Sequence, residues 1–447
     1  MTDAIDSLEL TDGKRLSVVS AGGRLAAIPM VRDANGQWRR ARPGDGVAEA
    51  LLSLLAEVAG SETRGRFTVR SWASRAATGE RSVGVDQTNE SVIVGGERSD
   101  GGMFGGERSD GGIFGGERSD GGMFGGERSD GEDVGGERSD GGAAVVKWAT
   151  HLQDGPHPAP HRIGVLHDAG FGGMPAPWGL VTWLPPGGAE TLVANVDDYL
   201  PGAVDGWTWA VELITAAALD RRTEPLVAAT VQVGRVVAEL HAALAKTTTV
   251  ATQQDAARWR GDGLATLEHV RALGDSVAVT CARARRTEIE SILDGLGALA
   301  GTPIIEGHGD LHVGQILHSG DRFVVTDFDG NPVLPAPQRM LPVPAALDVA
   351  GMSQSLAHAA IVARKYTELD AVALAGADAV GRAAFLTEYA RRLAELGHAE
   401  LYDPGAMYAF RVQQVLREIV YAARHLPRWM YVPDAALPAL LDEGIPT

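Results

Sequence analysis

The sequence predicts an α+β chain of two lobes, β-rich at the N-terminal end and mostly helical at the C-terminal end. Three observations carry that prediction. In roughly the first half, apolar residues alternate in short runs broken by turn signals, the period of half-buried strands. From about Val211 onward they recur at helical spacing in long Ala- and Leu-rich runs such as "LVAATVQVGRVVAELHAAL" and "ARRTEIESILDGLGAL". Within that helical half, "HGDLHVGQILHSGDRFVVTDFDGNP" gathers carboxylates and a glutamine around one short hairpin.

Element by element, "LAAIPMVRDANGQWRRA" carries Asn35-Gly36 between two alternating runs, the signal of a tight β-hairpin. "GVAEALLSLLAEVAG" follows as an amphipathic helix, and "GRFTVRSWAS", "RSVGVDQTNESVIVGG" and "AAVVKWATHL" as strands of one sheet. That sheet is interrupted by "GGERSD", which occurs five times between Gly95 and Asp140 at a ten-residue period. Each unit holds too little apolar side chain to offset the cost of ordering its backbone, so residues 95–142 read as an expanded loop insertion.

Composition narrows the function. A formal charge of −18 argues against nucleic acid and against an anionic membrane surface as partners, since both select basic patches. A single cysteine, Cys281, excludes an intramolecular disulfide framework and reads as a small apolar residue. The acidic start "MTDAIDSLELTDGK" has no apolar core of a signal peptide, and no uninterrupted apolar run reaches bilayer length, so the expected compartment is cytoplasmic.

The hairpin near residue 310 carries the chemistry. "QILHSGDRFVVTD" reads as two strands turning near Ser319-Gly320-Asp321, and a fold about Asp321 sets Gln315 opposite Asp327. Oxygen-only ligands of this kind suit Mg²⁺, where a zinc site would favour His and Cys. Asp310 precedes the first strand, where a loop carboxylate can accept the proton of a substrate hydroxyl. The grouping points to phosphoryl transfer.

"HGDLHVGQ" followed by "TDFDG" resembles the catalytic loop and metal motif of the aminoglycoside phosphotransferase and protein-kinase-like superfamily. The resemblance implies that Asp310 is the base, that Gln315 stands in for the metal-binding Asn, and that Asp327 holds Mg²⁺. The D-F-D-G form adds Asp329 as a further metal or substrate ligand. It also implies ATP as cosubstrate, with Lys147 of "AVVKW" holding its phosphates, the turn Asp86 to Ser91 covering them, and backbone atoms at Thr182, Trp183 and Leu184 pairing the adenine. An acidic partner for Lys147 is not evident, with Asp154 and Asp168 the nearest carboxylates downstream. Asp348 in "LDVAGM" resembles the acidic residue that heads a helix behind the catalytic loop. No G-x-x-x-x-G-K-[ST] occurs, which disfavours a P-loop kinase.

Substrate is read from "VQQVLREIVYAARHLPRWM", where Gln414, Glu418, Tyr421 and His425 fall on one helical stripe with Trp429 close by, opposite an aliphatic face. Amide, carboxylate and aromatic groups together suit an amino sugar: partners for hydroxyls, a ring for the apolar sugar face, a negative charge for an ammonium. "SVIVGG", "PHPAPHRI" and "MPAPWG" resemble bacterial maltokinases, while "LREIVYAARHLPRWMYVPDAAL" and "TDFDGNP" look more like the related actinobacterial glucosamine kinases. The resemblance implies a bilobal protein-kinase-like fold with an N-terminal cap (1–75), a nucleotide-binding lobe (76–180) and a helical lobe (181–447). It implies phosphorylation of D-glucosamine from ATP at O6, and the expected state is a monomer. Maltose 1-phosphate formation, aminoglycoside phosphorylation and a non-catalytic binding module are the alternatives.

Overall fold

In the computed structural model, which describes residues 4–21, 23–83, 90–96, 142–152 and 155–444, the alternating N-terminal runs form strands. β1 (Ala4–Thr11), β2 (Lys14–Ala21), β3 (Arg24–Arg32) and β4 (Trp38–Arg40) make an antiparallel meander. Its last turn is the expected one: Gly36 takes φ 77°, and Asp33 Oδ1 accepts the N–H of both Asn35 and Gln37 at 2.8 Å. Helix α1 (Val47–Glu57) follows, with an apolar face of Val47, Leu51, Leu52, Leu54 and Leu55 buried.

A second sheet has seven strands: β5 (Ser61–Arg64), β6 (Phe67–Ser71), β7 (Glu80–Ser82), β8 (Glu90–Val94), β9 (Ala144–Trp148), β10 (Pro177–Trp183) and β11 (Thr191–Asp198). Their spatial order is β5-β6-β10-β11-β9-β8-β7. Glu80, on the edge strand, accepts the backbone N–H groups of Gly44, Gly46, Ala48 and Glu49 at 2.6–3.2 Å, so it caps the start of α1 from a distance. β8 and β9 pair antiparallel with Val94 opposite Ala144. The repeat tract therefore connects two adjacent strands; apart from Gly95 and Gly96 its repeats lie outside the described residues.

The chain divides into two compact units. One takes the described residues up to Gly155 together with Ala176–Tyr199, and the other takes Pro156–Pro175 and everything from Leu200. These boundaries differ from the expected cuts after residues 75 and 180. A cut at 75 would separate β5 and β6 from the sheet they pair into, and Leu16, Leu51, Phe67, Val146, Trp148 and Trp178 belong to one apolar core. A cut at 180 would pass through β10.

The second unit is helical. Its core includes α3 (Gly206–Asp220), α4 (Glu224–Leu244) and the helices Ala345–Tyr366, Ala371–Glu395 and Met407–His425. Among the described residues only the segment Glu224–Thr247 has the length and apolar composition of a membrane span; 56% of its most apolar window is buried, as in a core helix. Into this frame fits the hairpin Ile316–Ser319/Arg322–Val325. It turns on Gly320 and Asp321, and its register places Thr326, not Asp327, opposite Gln315: the Thr326 N–H donates to the Gln315 carbonyl at 2.9 Å. A two-residue turn, with Gly320 at φ 60°, accounts for the one-residue difference from a fold centred on Asp321.

Candidate active site

In the helical unit, the loop His308 to His312 is held by backbone contacts that a short sequence motif does not reveal. Asp348, in the first turn of helix Ala345–Tyr366, accepts the N–H groups of His308 at 2.7 Å and Gly309 at 2.8 Å. Behind it, His241 Nε2 donates to Asp348 at 3.3 Å, and Tyr389 donates its hydroxyl proton to His241 Nδ1 at 2.8 Å. Burial raises the Asp348 carboxyl, but the His241 contact, His308 and the Gly309 N–H outweigh it and hold the group below its usual range. Further along, Ser355 Oγ accepts the Val313 N–H at 2.9 Å. The same helix bears Gly351, where a Cβ would meet the Leu311 carbonyl oxygen at 2.4 Å, so the loop lies directly on the helix backbone.

Arg162 ties this loop to the Asp327 segment. Its buried guanidinium, delivered by α2 (Ala159–Asp168), donates to the carbonyls of His308 at 3.0 Å, Phe328 at 3.0 Å and Arg339 at 2.9 Å. His308 Nε2 donates to the Thr326 carbonyl at 3.0 Å from the other side. Asp327 itself takes φ 65°; with Arg221 it is one of two non-glycine residues in the left-handed region among those described. Such conformations cost of order 1–3 kcal/mol and gather at functional positions.

Asp310 is buried, and burial first, then the Asp327 carboxylate, push its carboxyl up to about 7 against the pull of Arg417. That places a proton acceptor near neutrality, as general-base work requires. Gln315 is buried at the end of the single helical turn Val313–Gln315 that follows the loop. His312 Nδ1 accepts the Gly314 N–H at 3.1 Å, and the amide nitrogen of Gln315 lies 3.5 Å from His312 Nε2. Asp329 is partly exposed, with its N–H toward Asp327 Oδ1 at 3.4 Å and its carboxylate 3.8 Å from His157 Nε2. Among the described residues no cluster of three or more His, Cys, Asp or Glu groups could hold a metal. Gln315, Asp327 and Asp329 offer only oxygen donors, a set whose chemistry suits Mg²⁺ with several waters better than a transition metal.

On helix Met407–His425 the predicted stripe separates into two pairs. Gln414 Nε2 donates to Glu418 Oε1 at 3.0 Å, and Glu418 is 2% exposed. Its other oxygen, Oε2, accepts no hydrogen bond among the described residues and lies 3.4 Å from His358 Nδ1. Burial pushes this carboxyl well above the ordinary range; the Gln414 bond opposes, and the nearby Asp310 charge adds to the rise. Tyr421 and His425 lie together one to two turns on, ring centroids 5.1 Å apart, with Tyr421 half-buried and His425 exposed. Trp429 packs edge-on against Trp207 at 5.8 Å, and Trp207 lies 6.3 Å from the His312 ring, which brings Trp429 to the catalytic loop.

The nucleotide-binding expectations fall in the sheet unit. Lys147 is half-buried on β9 between Ser91 of β8 and Asn195 of β11, and has no ion pair among the described residues. Asp154 and residues 84–89, most of the proposed phosphate-covering turn, lie outside the described residues, while Asp168 sits 3.5 Å from its neighbour His167. Thr182, Trp183 and Leu184 are not a linker. Thr182 and Trp183 are paired on both sides, to β6 and β11, and the Leu184 N–H donates to the Arg66 carbonyl at 2.9 Å, so their backbone is occupied by the sheet. The Thr182 hydroxyl is bonded to Glu190, and Trp183 Nε1 donates to Asp6 at 2.9 Å. The "PPGG" run that suggested a linker closes the β10–β11 hairpin, with Gly187 at φ 70°, and the chain leaves this unit only at Tyr199.

Sequence reasoning missed Arg162, Arg339, Arg417, Gln354, His358 and Arg411, all brought in by long-range packing. Arg162 lay inside "PHPAPHRI" and Arg417 inside "VQQVLREIVYAARHLPRWM", next to Glu418; the others fell in no stretch singled out above.

A sheet unit with a lysine on β9 and a helical unit with a buried aspartate raised to about 7, an amide and two further carboxylates have the composition of a kinase-like phosphotransferase. No protein-family model matches the chain. It is 56% identical over 444 residues, 99% of each chain, to a glucosamine kinase of Mycolicibacterium smegmatis. It is 38% identical to a glucosamine kinase of Streptacidiphilus jiangxiensis, over 98% of this chain and 91% of that one. Among solved structures, a glucosamine kinase in complex with glucosamine, ADP and inorganic phosphate superposes with a TM-score of 0.78 at 36% identity, covering 99% of this chain and 94% of the other. The chain belongs to the glucosamine kinase family, and the α+β kinase-like fold class expected from its motifs holds.

Proposed function

We propose that this protein transfers the γ-phosphoryl group of ATP to the 6-hydroxyl of D-glucosamine. The observation that carries the substrate is Glu418: a buried carboxylate with one oxygen accepting no hydrogen bond, close enough to Asp310 to raise its pKa, in a chain over half identical to a glucosamine kinase. A buried carboxylate of this kind is stabilised by a cation, and the 2-ammonium of glucosamine supplies one.

In this reading Asp310 orients the acceptor hydroxyl and takes its proton as the oxygen attacks phosphorus. Gln315, Asp327 and Asp329 hold Mg²⁺, which when bound neutralises the transferring phosphate charge. Lys147 meets the nucleotide phosphates, with Ser91 beside it on the neighbouring strand. Gln414 and Glu418 take the amino group, and Tyr421, His425 and Trp429 supply ring faces and hydroxyl partners. Positioning and charge neutralisation do most of the work. The enzyme is read as a cytoplasmic monomer. Glu418→Gln tests the substrate assignment: glucosamine should lose about tenfold or more in kcat/KM while the inhibition constant of glucose changes little. Equal losses for both sugars would remove Glu418 from ammonium recognition.

A further inference from the structure

Behind Glu418 runs a chain of buried polar side chains that takes no part in the phosphoryl transfer described above. Helix Ala345–Tyr366 contributes Gln354 and His358, one turn apart; helix Met407–His425 contributes Arg411, Gln414 and Glu418. Gln354, His358, Arg411 and Glu418 are all buried. The chain begins outside, where Arg411 Nη1 donates to Glu443 at 2.9 Å. Its Nε donates to Gln354 Oε1 at 3.0 Å. A guanidinium has no acceptor, so this contact fixes the Gln354 amide with its nitrogen pointing the other way. That nitrogen lies 3.0 Å from His358 Nε2, which must then be the lone-pair nitrogen of a neutral ring. The ring proton is left on Nδ1, 3.4 Å from Glu418 Oε2. Each link thus determines the next, from the buried Arg411 guanidinium to a ring proton left on Nδ1, which lies in 3.4 Å contact with Glu418 Oε2 without a formed hydrogen bond.

We infer that His358, with its proton held at Nδ1 by Gln354 and Arg411, is a positioning residue that orients Glu418 for the ammonium of the amino sugar. This rests on Glu418 as the ammonium partner. Gln414 bonds one carboxylate oxygen and the His358 ring lies against the other, which limits how far the carboxylate can turn from the incoming cation. A neutral donor suits this position, because it supports the negative charge without supplying a rival positive one.

Three variants of the full chain test this, each read by KM and kcat for glucosamine and by the inhibition constant of glucose. His358→Leu should raise the glucosamine KM about tenfold, with kcat within about threefold and the glucose constant within about twofold. His358→Asn, whose amide can place an N–H near the Nδ1 position, should recover most of that loss. Gln354→Glu replaces the donor facing Nε2 by an acceptor, drawing the ring proton off Nδ1 or charging the ring, and should also weaken glucosamine selectively; it keeps the inference falsifiable if the leucine variant does not fold. Selective loss in His358→Leu or Gln354→Glu with rescue by asparagine supports the inference. It is overturned if Glu418→Gln discriminates between the sugars while the His358 and Gln354 variants affect both alike or neither. If Glu418→Gln itself does not discriminate, the ammonium reading fails first and this inference falls with it.

Discussion

At the scale of residues, the site rests on two carboxyls driven upward by burial, and each has a measurable consequence. Asp310→Ala should lose about 10²–10⁴-fold in turnover while nucleotide still binds, checked by steady-state kinetics beside nucleotide titration. Because the Asp310 carboxyl is raised to about 7 from 3.8, the folded state holds its proton more tightly than the unfolded chain, and stability contributed here declines as pH rises through that window. Asp310→Asn is therefore expected to be inactive yet to melt higher than the wild type at pH 8, with the advantage fading toward pH 4; thermal melts across pH decide this. Glu418, raised in the same direction, should release a proton when the ammonium arrives. Calorimetry of glucosamine binding near neutral pH should then show an enthalpy that tracks the ionisation enthalpy of the buffer, and Glu418→Gln should abolish that dependence. The grouping of Asp310, Gln315 and Asp327 was legible in the sequence because they lie within one short stretch of chain, and that of Glu418 with Gln414 because helical spacing sets them one turn apart. His358 and Arg411 were not, since only the packing of two helices joins them.

At the scale of elements, the catalytic loop is a piece of irregular backbone fastened to a rigid helix. Asp348, Ser355 and Gly351 all lie on Ala345–Tyr366, and the close approach at Gly351 leaves no room for a side chain. Gly351→Ala should displace the loop at Leu311, and because misplacement of about 1 Å can cost about 10²-fold, kcat should fall by roughly that factor with a smaller change in the glucosamine KM. An unchanged kcat would mean that the loop is not positioned from this helix. Strands and helices were well marked by periodicity, and Asn35-Gly36 by its turn chemistry. The errors came where turn signals were ambiguous. "PPGG" serves a hairpin as well as a linker, and a turn at Gly320–Asp321 differs by one residue from a turn centred on Asp321.

At the scale of the whole molecule, the "GGERSD" tract joins two strands that already pair edge to edge, Val94 facing Ala144. Replacing residues 97–141 by a short turn should leave melting temperature within a few degrees and activity largely intact, since loop-closure cost changes by only about 0.6 kcal/mol per doubling of length. A collapsed variant would show that the repeats support the sheet. Domain limits were the least legible feature: the apolar core linking the first meander to the second sheet draws on strands far apart in sequence, which composition does not reveal. The central claim concerns which acceptor the assembled site selects. The most direct test is Mg²⁺-dependent ATP consumption by the full chain against glucosamine, N-acetylglucosamine, glucose and maltose in parallel. A clear preference for glucosamine, lost when the amine is acetylated or replaced by a hydroxyl, is the predicted result; equal or better turnover of glucose or maltose would contradict it.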